Sequence, residues 1–199
     1  ALVCGRVLVY SPKARTWEEL RAQPGPMPEV GSSKTSLNWS ALCADPVNRE
    51  LVLFGGGGVV YNESGSPGTW VFSTETSTWR KLDLQVEPSP RALSPMVFDP
   101  ASRKIVLFGG ERLDQLHADT WLYDCATRTW EERKPAVSPS PRYGHALLRL
   151  PKSGRIVLLG GKTYTSSTSY MANLYRRLPF EMWSYNIAAN SWSLIKNYG

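Results

Sequence analysis

The sequence predicts an all-β protein built from a recurring four-stranded unit. Three short apolar runs each end in a glycine pair: LVLFGG at 51–56, IVLFGG at 105–110 and IVLLGG at 156–161. Each run is followed by two aromatic residues two positions apart, and a second tryptophan lies nine positions after the first of them. The chain also has 16 glycines and 15 prolines in 199 residues. Short apolar runs separated by glycine, proline and polar turns are typical of strands.

The second tryptophans set the length of the repeat. They are Trp17, Trp79, Trp130 and Trp192, so the unit recurs after 62, 51 and 62 residues. Self-similarity with a period near 50 indicates stacked copies of one supersecondary unit. One small sheet cannot bury both of its faces, whereas stacked sheets can, so we expect the indoles to lie between neighbouring sheets. They are therefore scaffold residues.

The unit centred on the second glycine pair predicts four antiparallel strands in order. The first strand is predicted at 93–98, the second at 104–108, the third at 120–123 and the fourth at 129–132. The segment DCATR (124–128) forms the turn between the last two strands, which explains the nine-residue step from one indole to the next. Since side chains alternate along a strand, the two aromatic residues of the third strand share a face.

The pattern resembles the kelch-repeat β-propeller family over essentially the whole chain. The form VFDPASRKIVLFGG (97–110) is similar to bacterial-type kelch proteins, including the propeller of galactose oxidase-like proteins. The resemblance implies one propeller domain whose blades are residues 21–82, 83–134 and 135–199, with residues 1–20 supplying the last two strands of a further blade. This amounts to about three and a half four-stranded blades.

Three and a half blades do not close a ring, because propellers generally have about four to eight. We therefore expect an arc of a larger propeller. Further residues, another chain or a second copy of this chain would complete it, since an open arc exposes apolar blade faces.

Strand direction predicts two rims with different character. One rim carries the tight turns DPVNRE (45–50), DPASRK (99–104) and PKSGR (151–155). The opposite rim, called the variable rim below, carries the dissimilar connections 57–68, 111–119 and 162–181. Binding residues are often found on variable loops held by a rigid scaffold, so we expect a partner to bind there.

The family resemblance implies particular contact residues on the variable rim. Kelch partners commonly dock just after the glycine pair and where each blade begins; the matching residues are Glu111, Arg112, Lys162, Arg91 and Arg142. The two arginines that begin the blades have a structural alternative, which is to tie successive blades together. The first unit departs from the pattern, with Gly57 after its glycine pair and Ser33 or Lys34 where the others have Pro-Arg.

The longest connection, residues 162–181, contains aromatic, hydroxyl and guanidinium groups. Its candidate contact residues are Tyr164, Tyr170, Tyr175, Arg176 and Arg177. These groups suit glycans or extended peptides. The alternative is a structural loop that packs its tyrosines onto a neighbouring blade.

The sequence gives little support for catalysis, and no catalytic residue, metal site or cofactor is predicted. The two histidines, His117 and His145, lie in different types of segment. Asp114 and Asp119 could pair as acid and base, but in a polar loop solvated carboxylates are the simpler interpretation. We predict a non-catalytic protein-binding or scaffolding module. A carbohydrate-binding domain, or part of a sugar-acting enzyme completed by further blades, is the alternative.

The charge and the cysteine content restrict the classes of partner and the cellular location that the sequence predicts. The net charge is +6, and five of these charges arise in residues 152–199. The cations are dispersed, so we predict a solvated basic surface and no nucleic-acid partner. No apolar run is long enough to span a bilayer.

Cys4, Cys43 and Cys125 form neither a disulfide framework nor a zinc motif, and Cys125 is expected in an exposed turn. The bacterial-type resemblance favours a periplasmic or extracellular, secreted protein, with a cytoplasmic one as the alternative.

Overall fold

The structure is a computed structural model that describes residues 2–3, 6–20, 39–56, 68–112, 115–164, 175–177 and 181–197. All regular secondary structure in these residues is β. The N-terminal sheet has three antiparallel strands in chain order: β1 (Leu2–Val3), β2 (Arg6–Ser11) and β3 (Thr16–Leu20).

Three four-stranded antiparallel sheets follow. The first contains β4 (Ala41–Asp45), β5 (Glu50–Phe54), β6 (Thr69–Ser73) and β7 (Thr78–Lys81). The second contains β8 (Met96–Asp99), β9 (Lys104–Phe108), β12 (Thr120–Asp124) and β13 (Thr129–Arg133). The third contains β14 (Ala146–Arg149), β15 (Ile156–Leu159), β18 (Glu181–Asn186) and β19 (Ser191–Asn197). Two short ribbons project between the second and third strands of the later sheets: β10 (Glu111–Arg112) with β11 (Gln115–Leu116), and β16 (Lys162–Tyr164) with β17 (Tyr175–Arg177).

The predicted all-β architecture of four-stranded blades is confirmed. Differences lie at the edges: β8 begins at Met96 rather than at residue 93, because Leu93 has a φ of +54° and cannot continue a ladder,. Residues 1–20 contain a third short strand, β1, beyond the two predicted. How the described sheets close into a ring, and the blade boundaries, stay predictions.

The core lies between sheets, as the repeat predicts. Ile105 and Leu107 of β9 pack with Val52 and Phe54 of the first sheet. The alternate residues of the same strand face the third sheet, where Phe108 is part of the next apolar cluster. The second sheet therefore buries both of its faces, and large aromatic residues at these joints each bury about 150–250 Å².

Indole hydrogen bonds cross two of the joints. Trp130 Nε1 donates to Thr69 Oγ1 of the first sheet at 2.9 Å, and Trp192 Nε1 donates to Thr120 Oγ1 of the second sheet at 3.0 Å. The equivalent nitrogen of Trp79 is buried and has no hydrogen-bond partner among the described residues. In the sequence repeat, the position equivalent to the two threonines is Val7, which has no hydroxyl group.

The glycine pairs allow backbones of successive sheets to approach closely. Gly56 N donates to the carbonyl oxygen of Arg91 at 2.9 Å, and Gly110 N donates to that of Arg142 at 2.9 Å. A Cβ atom at Gly55 would lie only 2.2 Å from the Arg91 oxygen, and Gly55 has a φ of +70°. The pairs are therefore structural, as predicted.

Cys125 corrects one expectation, since it is buried rather than exposed. Its turn packs against the first four-stranded sheet, where the Asn48 side chain donates to the Cys125 carbonyl and Cys43 packs against the same apolar cluster. Burial raises the pKa of both thiols, that of Cys43 to about 12, so neither is present as a reactive thiolate at neutral pH,. Both are free thiols, and Cys4 lies outside the described residues.

Candidate functional site

The variable rim is built where β9 and β15 end in their glycine pairs. The β10/β11 ribbon follows the first of these ends and the β16/β17 ribbon follows the second. Each ribbon is joined by its first residue to the segment that leads into its own sheet: Glu111 pairs with Ala92, and Lys162 pairs with Tyr143. These bridges hold the bases of the ribbons against the scaffold.

Arg91 supports the first ribbon from below. Its guanidinium is 1% exposed and donates to the Gly109 carbonyl at 3.1 Å and to Asp119 Oδ2 at 2.8 Å. Burial alone would raise the pKa of Asp119, but the Arg91 hydrogen bonds and charge, together with a 2.7 Å bond from the Trp121 indole, hold that pKa below its ordinary value. The carboxylate is thus ionised and fully engaged.

Arg142 repeats this arrangement under the second ribbon. It is fully buried and donates to the Gly160 carbonyl at 3.0 Å and to Glu181 Oε2 at 2.7 Å. Glu181 also accepts the Trp183 indole at 2.9 Å, and these bonds lower its pKa although burial acts in the opposite direction. The geometry of both arginines fits the structural alternative. Their side chains tie parts of one sheet together, whereas their carbonyl oxygens link successive sheets.

Glu111, Arg112 and Lys162 occupy the surface of the rim. Glu111 and Arg112 are half-buried, and Lys162 is exposed. Burial raises the pKa of the Glu111 carboxyl. These residues, unlike Arg91 and Arg142, present side chains that a partner could reach.

The second ribbon brings predicted contact residues into register. Lys162 lies opposite Arg177, Thr163 opposite Arg176, and Tyr164 opposite Tyr175. The register therefore places these residues on the two strands of one ribbon, and the side chains of residues 164 and 175–177 lie outside what the structure describes. Tyr170 lies outside the described residues.

Both histidines lie close to Gly109, which sequence reasoning did not anticipate. A Cβ atom at Gly109 would lie 3.1 Å from His145 Cε1 and 3.3 Å from the His117 carbonyl oxygen. Burial and the neighbouring Arg142 lower the pKa of His145 to about 3; burial and Arg91 lower that of His117 to about 4. His145 is 6% exposed and packs edge-on against Phe108, with ring centroids 5.5 Å apart. The sequence places Gly144 directly before His145, and this glycine has a φ of +62°.

The described residues contain no cluster of three His, Cys, Asp or Glu side chains that could hold a metal ion. Asp114 lies outside them, and Asp119 is committed to Arg91 and Trp121. In the same part of the chain, no helix is long and apolar enough to cross a membrane.

Comparison with known proteins gives a family match and several relatives. The KLHDC2/KLHL20/DRC7 Kelch-repeats domain matches residues 2–199. Kelch domain-containing protein 10 of Xenopus tropicalis is 28% identical over 155 residues, which cover 75% of this chain and 35% of that protein. The human protein of the same name is 27% identical over 149 residues, covering 73% and 31% respectively. Acyl-CoA-binding domain-containing protein 5 of Arabidopsis thaliana is 24% identical over 170 residues, covering 84% and 24%.

These relatives correct the predicted lineage. They are eukaryotic, so the bacterial-type resemblance assigned to residues 97–110 is wrong. That segment encodes a strand, a tight turn and a strand ending in glycine, a geometry that repeated blades share and that therefore does not distinguish lineages. Secretion loses the support it drew from this resemblance, and the cellular location stays a prediction. The chain spans about a third of the length of the Kelch domain-containing protein 10 relatives.

Proposed function

The chain belongs to the kelch-repeat domain family, and from this premise we propose that it is a non-catalytic protein-binding module whose contacts lie on the variable rim. Kelch-repeat domains commonly bind proteins. The observation that carries the proposal is the support beneath the rim. Each ribbon stands on a buried arginine whose hydrogen bonds go to a carboxylate and to the carbonyl of a glycine pair. A rigid base under dissimilar segments suits recognition, because little order is lost on binding.

The opposite rim, which carries the tight turns, is less suited to binding a partner. Its turns are capped internally: Asp45 accepts hydrogen bonds from Val47 N and Asn48 N, and Asp99 accepts them from the backbone and hydroxyl of Ser102. Polar groups that are satisfied within a turn gain little by binding a partner. This supports placing the contacts on the variable rim.

The chemistry of the rim supports binding over catalysis. Asp119 and Glu181 are held ionised by arginines, so neither is poised to donate a proton near neutral pH,. His145 is buried and His117 is half-buried, and their lowered pKa values keep both uncharged in that range. Burial raises the pKa of the Glu111 carboxyl, but glycoside hydrolysis commonly needs a second carboxyl group beside the first, and Asp119 and Glu181 are engaged by the arginines,.

Carbohydrate binding is a second candidate, and the register of the second ribbon favours it. Tyr164 lies opposite Tyr175, and paired aromatic residues suit the flat faces of sugars,. A glycan array probed with the protein and with a Tyr164→Ala, Tyr175→Ala double variant tests it. Loss of a glycan signal in the variant would support the candidate, and a protein that binds no glycan would remove it.

We also retain the proposal that these sheets are part of a larger ring. Exposed apolar residues at the two ends of the described stack support it. Tyr10 and Trp17 of the N-terminal sheet are 44% and 60% exposed, and Leu148 and Leu194 of the third four-stranded sheet are each 47% exposed. In the interior of the stack the equivalent tryptophans are buried, so further blades or a partner chain would cover such surface.

Selection from a displayed peptide library tests the protein-binding proposal. Selected peptides should lose affinity for Arg112→Ala and Lys162→Ala variants and keep it for Lys152→Ala, which removes a similar charge from the opposite rim. Peptides whose binding depends on Lys152 and not on the variable rim would overturn the proposal.

A further inference from the structure

Two exposed serines lie beside the buried arginines that support the variable rim. The connections between sheets contain the same four residues twice, PSPR at 88–91 and PSPR at 139–142. Ser89 and Ser140 are exposed, although the arginine two residues after each of them is buried. We infer that both serines are phosphorylation sites for a proline-directed protein kinase, and that phosphate on Ser89 weakens the support beneath the first ribbon.

The backbone around each serine suits the extended conformation in which a kinase holds its substrate. Residues 82–95 and 134–145, all of which the structure describes, connect successive sheets without forming a strand. A proline after the serine favours an extended serine and has no N–H group that would need a partner. Ser94 is also followed by a proline, but it is 3% exposed. The folded chain should therefore present Ser89 and Ser140 to the kinase and withhold Ser94.

The modification is a phosphoryl transfer from ATP. The serine Oγ attacks the γ-phosphorus, so a new O–P bond forms and the bond from the γ-phosphorus to the bridging oxygen breaks. ADP leaves, and the hydroxyl proton passes to the catalytic carboxylate of the kinase. The product carries a charge of about −1.5 to −2 at neutral pH. The need for ATP ties this inference to the cytoplasmic location that the sequence leaves as an alternative.

The guanidinium of Arg91 has no N–H group to spare for such a phosphate. It donates through Nε to the Ser89 carbonyl and through Nη2 to Ser89 Oγ, both at 2.9 Å. Its other N–H groups donate to the Gly109 carbonyl and to both carboxylate oxygens of Asp119. These bonds use all of the N–H groups that an arginine has. A phosphate on Ser89 must therefore displace a present acceptor or lie unpaired beside the ionised Asp119, and either outcome weakens the support.

Arg142 repeats the arrangement with one difference. It donates through Nε to the Ser140 carbonyl at 3.0 Å and through Nη2 to Ser140 Oγ at 2.8 Å. It also donates to the Gly160 carbonyl and to Glu181, which leaves one N–H group without a partner among the described residues,. A phosphate on Ser140 can pair with that group. We therefore expect modification of Ser140 to disturb its ribbon less than modification of Ser89 disturbs the first one.

Phosphorylation of the folded chain in vitro tests the modification itself. A purified mitogen-activated protein kinase is first shown to modify Ser89 in a synthetic peptide of residues 84–97, which contains Ser89 and Ser94 without the fold. The folded chain is then incubated with the same kinase and ATP, and phosphoserines are located by mass spectrometry. We expect phosphate on Ser89 and Ser140 and none on Ser94. A folded chain that leaves both Ser89 and Ser140 unmodified would overturn the inference.

An indole resonance reports whether the phosphate reaches the arginine. The Trp121 indole donates to Asp119 Oδ2, the oxygen that also accepts Arg91 Nη2. Ser89→phosphoserine, introduced during translation, should therefore shift the ¹⁵N–¹H resonance of the Trp121 indole, which Trp121→Phe assigns. Ser153→phosphoserine adds the same group at an exposed position on the opposite rim and should leave this resonance in place. An unmoved resonance in the Ser89 protein would refute the coupling to the ribbon.

Urea unfolding measures the loss of support. Ser89→phosphoserine should raise the unfolding equilibrium constant by about tenfold or more, because hydrogen bonds between charged groups are weakened. Ser89→Ala removes the same hydroxyl acceptor without adding charge, so it should raise that constant by less. A phosphorylated chain as stable as the Ser89→Ala variant, or more stable, would show that the added charge does not act on the Arg91–Asp119 pair and would overturn the assigned effect.

Discussion

Replacing Thr120 with valine should measure the strength of one joint between sheets. The substitution keeps the shape of the side chain but removes the oxygen that accepts the Trp192 indole N–H at 3.0 Å. Thr120 is fully buried and Trp192 is 4% exposed, so water cannot readily replace the lost acceptor. Leaving a buried donor unpaired costs about 1–3 kcal/mol. We expect the free energy of unfolding to fall by that amount.

A double-mutant cycle isolates the hydrogen bond from other effects of the substitution. Trp192→Phe removes the donor, and in that background Thr120→Val should cost much less, because no polar group is left unpaired. Urea unfolding of the four proteins, followed by circular dichroism with a common m-value, gives the coupling free energy, which should be about 1–2 kcal/mol. An equal loss from Thr120→Val in both backgrounds would refute the argument that the indole needs this acceptor.

Two further predictions concern a joint and the rim. Gly55→Ala should lower the free energy of unfolding by at least about 2 kcal/mol, because its Cβ would meet the Arg91 oxygen at 2.2 Å and its φ is positive,; a thermal melt unchanged from that of the parent would contradict this. The lowered pKa of His145, about 3 against an ordinary 6.5, means that the folded state favours the neutral ring, so its stabilisation is complete above pH 6.5 and is lost as the pH falls towards 3,. Urea midpoints measured across that range should fall less steeply for His145→Phe, and identical slopes would remove His145 as the cause.

Strand positions were predictable where residue type and spacing report on burial. The run 104–108 and the turn 124–128 follow from alternation, a glycine pair and a polar segment between aromatic residues, and the structure places β9 and the β12–β13 turn there. The ribbons were not predicted, because they are held by backbone pairs such as Lys162 with Tyr143 that leave no hydrophobic period in the sequence.

The surroundings of single residues depended on partners distant in sequence. Arg91 had both a binding and a structural interpretation, and its burial depends on Asp119, which lies 28 residues later. Cys125 was expected to be exposed because its turn is polar, and its burial follows from packing against a sheet more than 70 residues earlier. Local pattern reports which residues form a strand, but it does not report what the ends of that strand will touch.

The two indole–threonine hydrogen bonds make the joints between the three four-stranded sheets directional. Trp130 donates to Thr69 and Trp192 donates to Thr120, so each joint combines apolar area with one bond of fixed geometry. Apolar surfaces alone would allow one sheet to slide against its neighbour, whereas a donor and its acceptor meet in a single alignment. Each indole therefore sets the relative position of two successive sheets as well as holding them together.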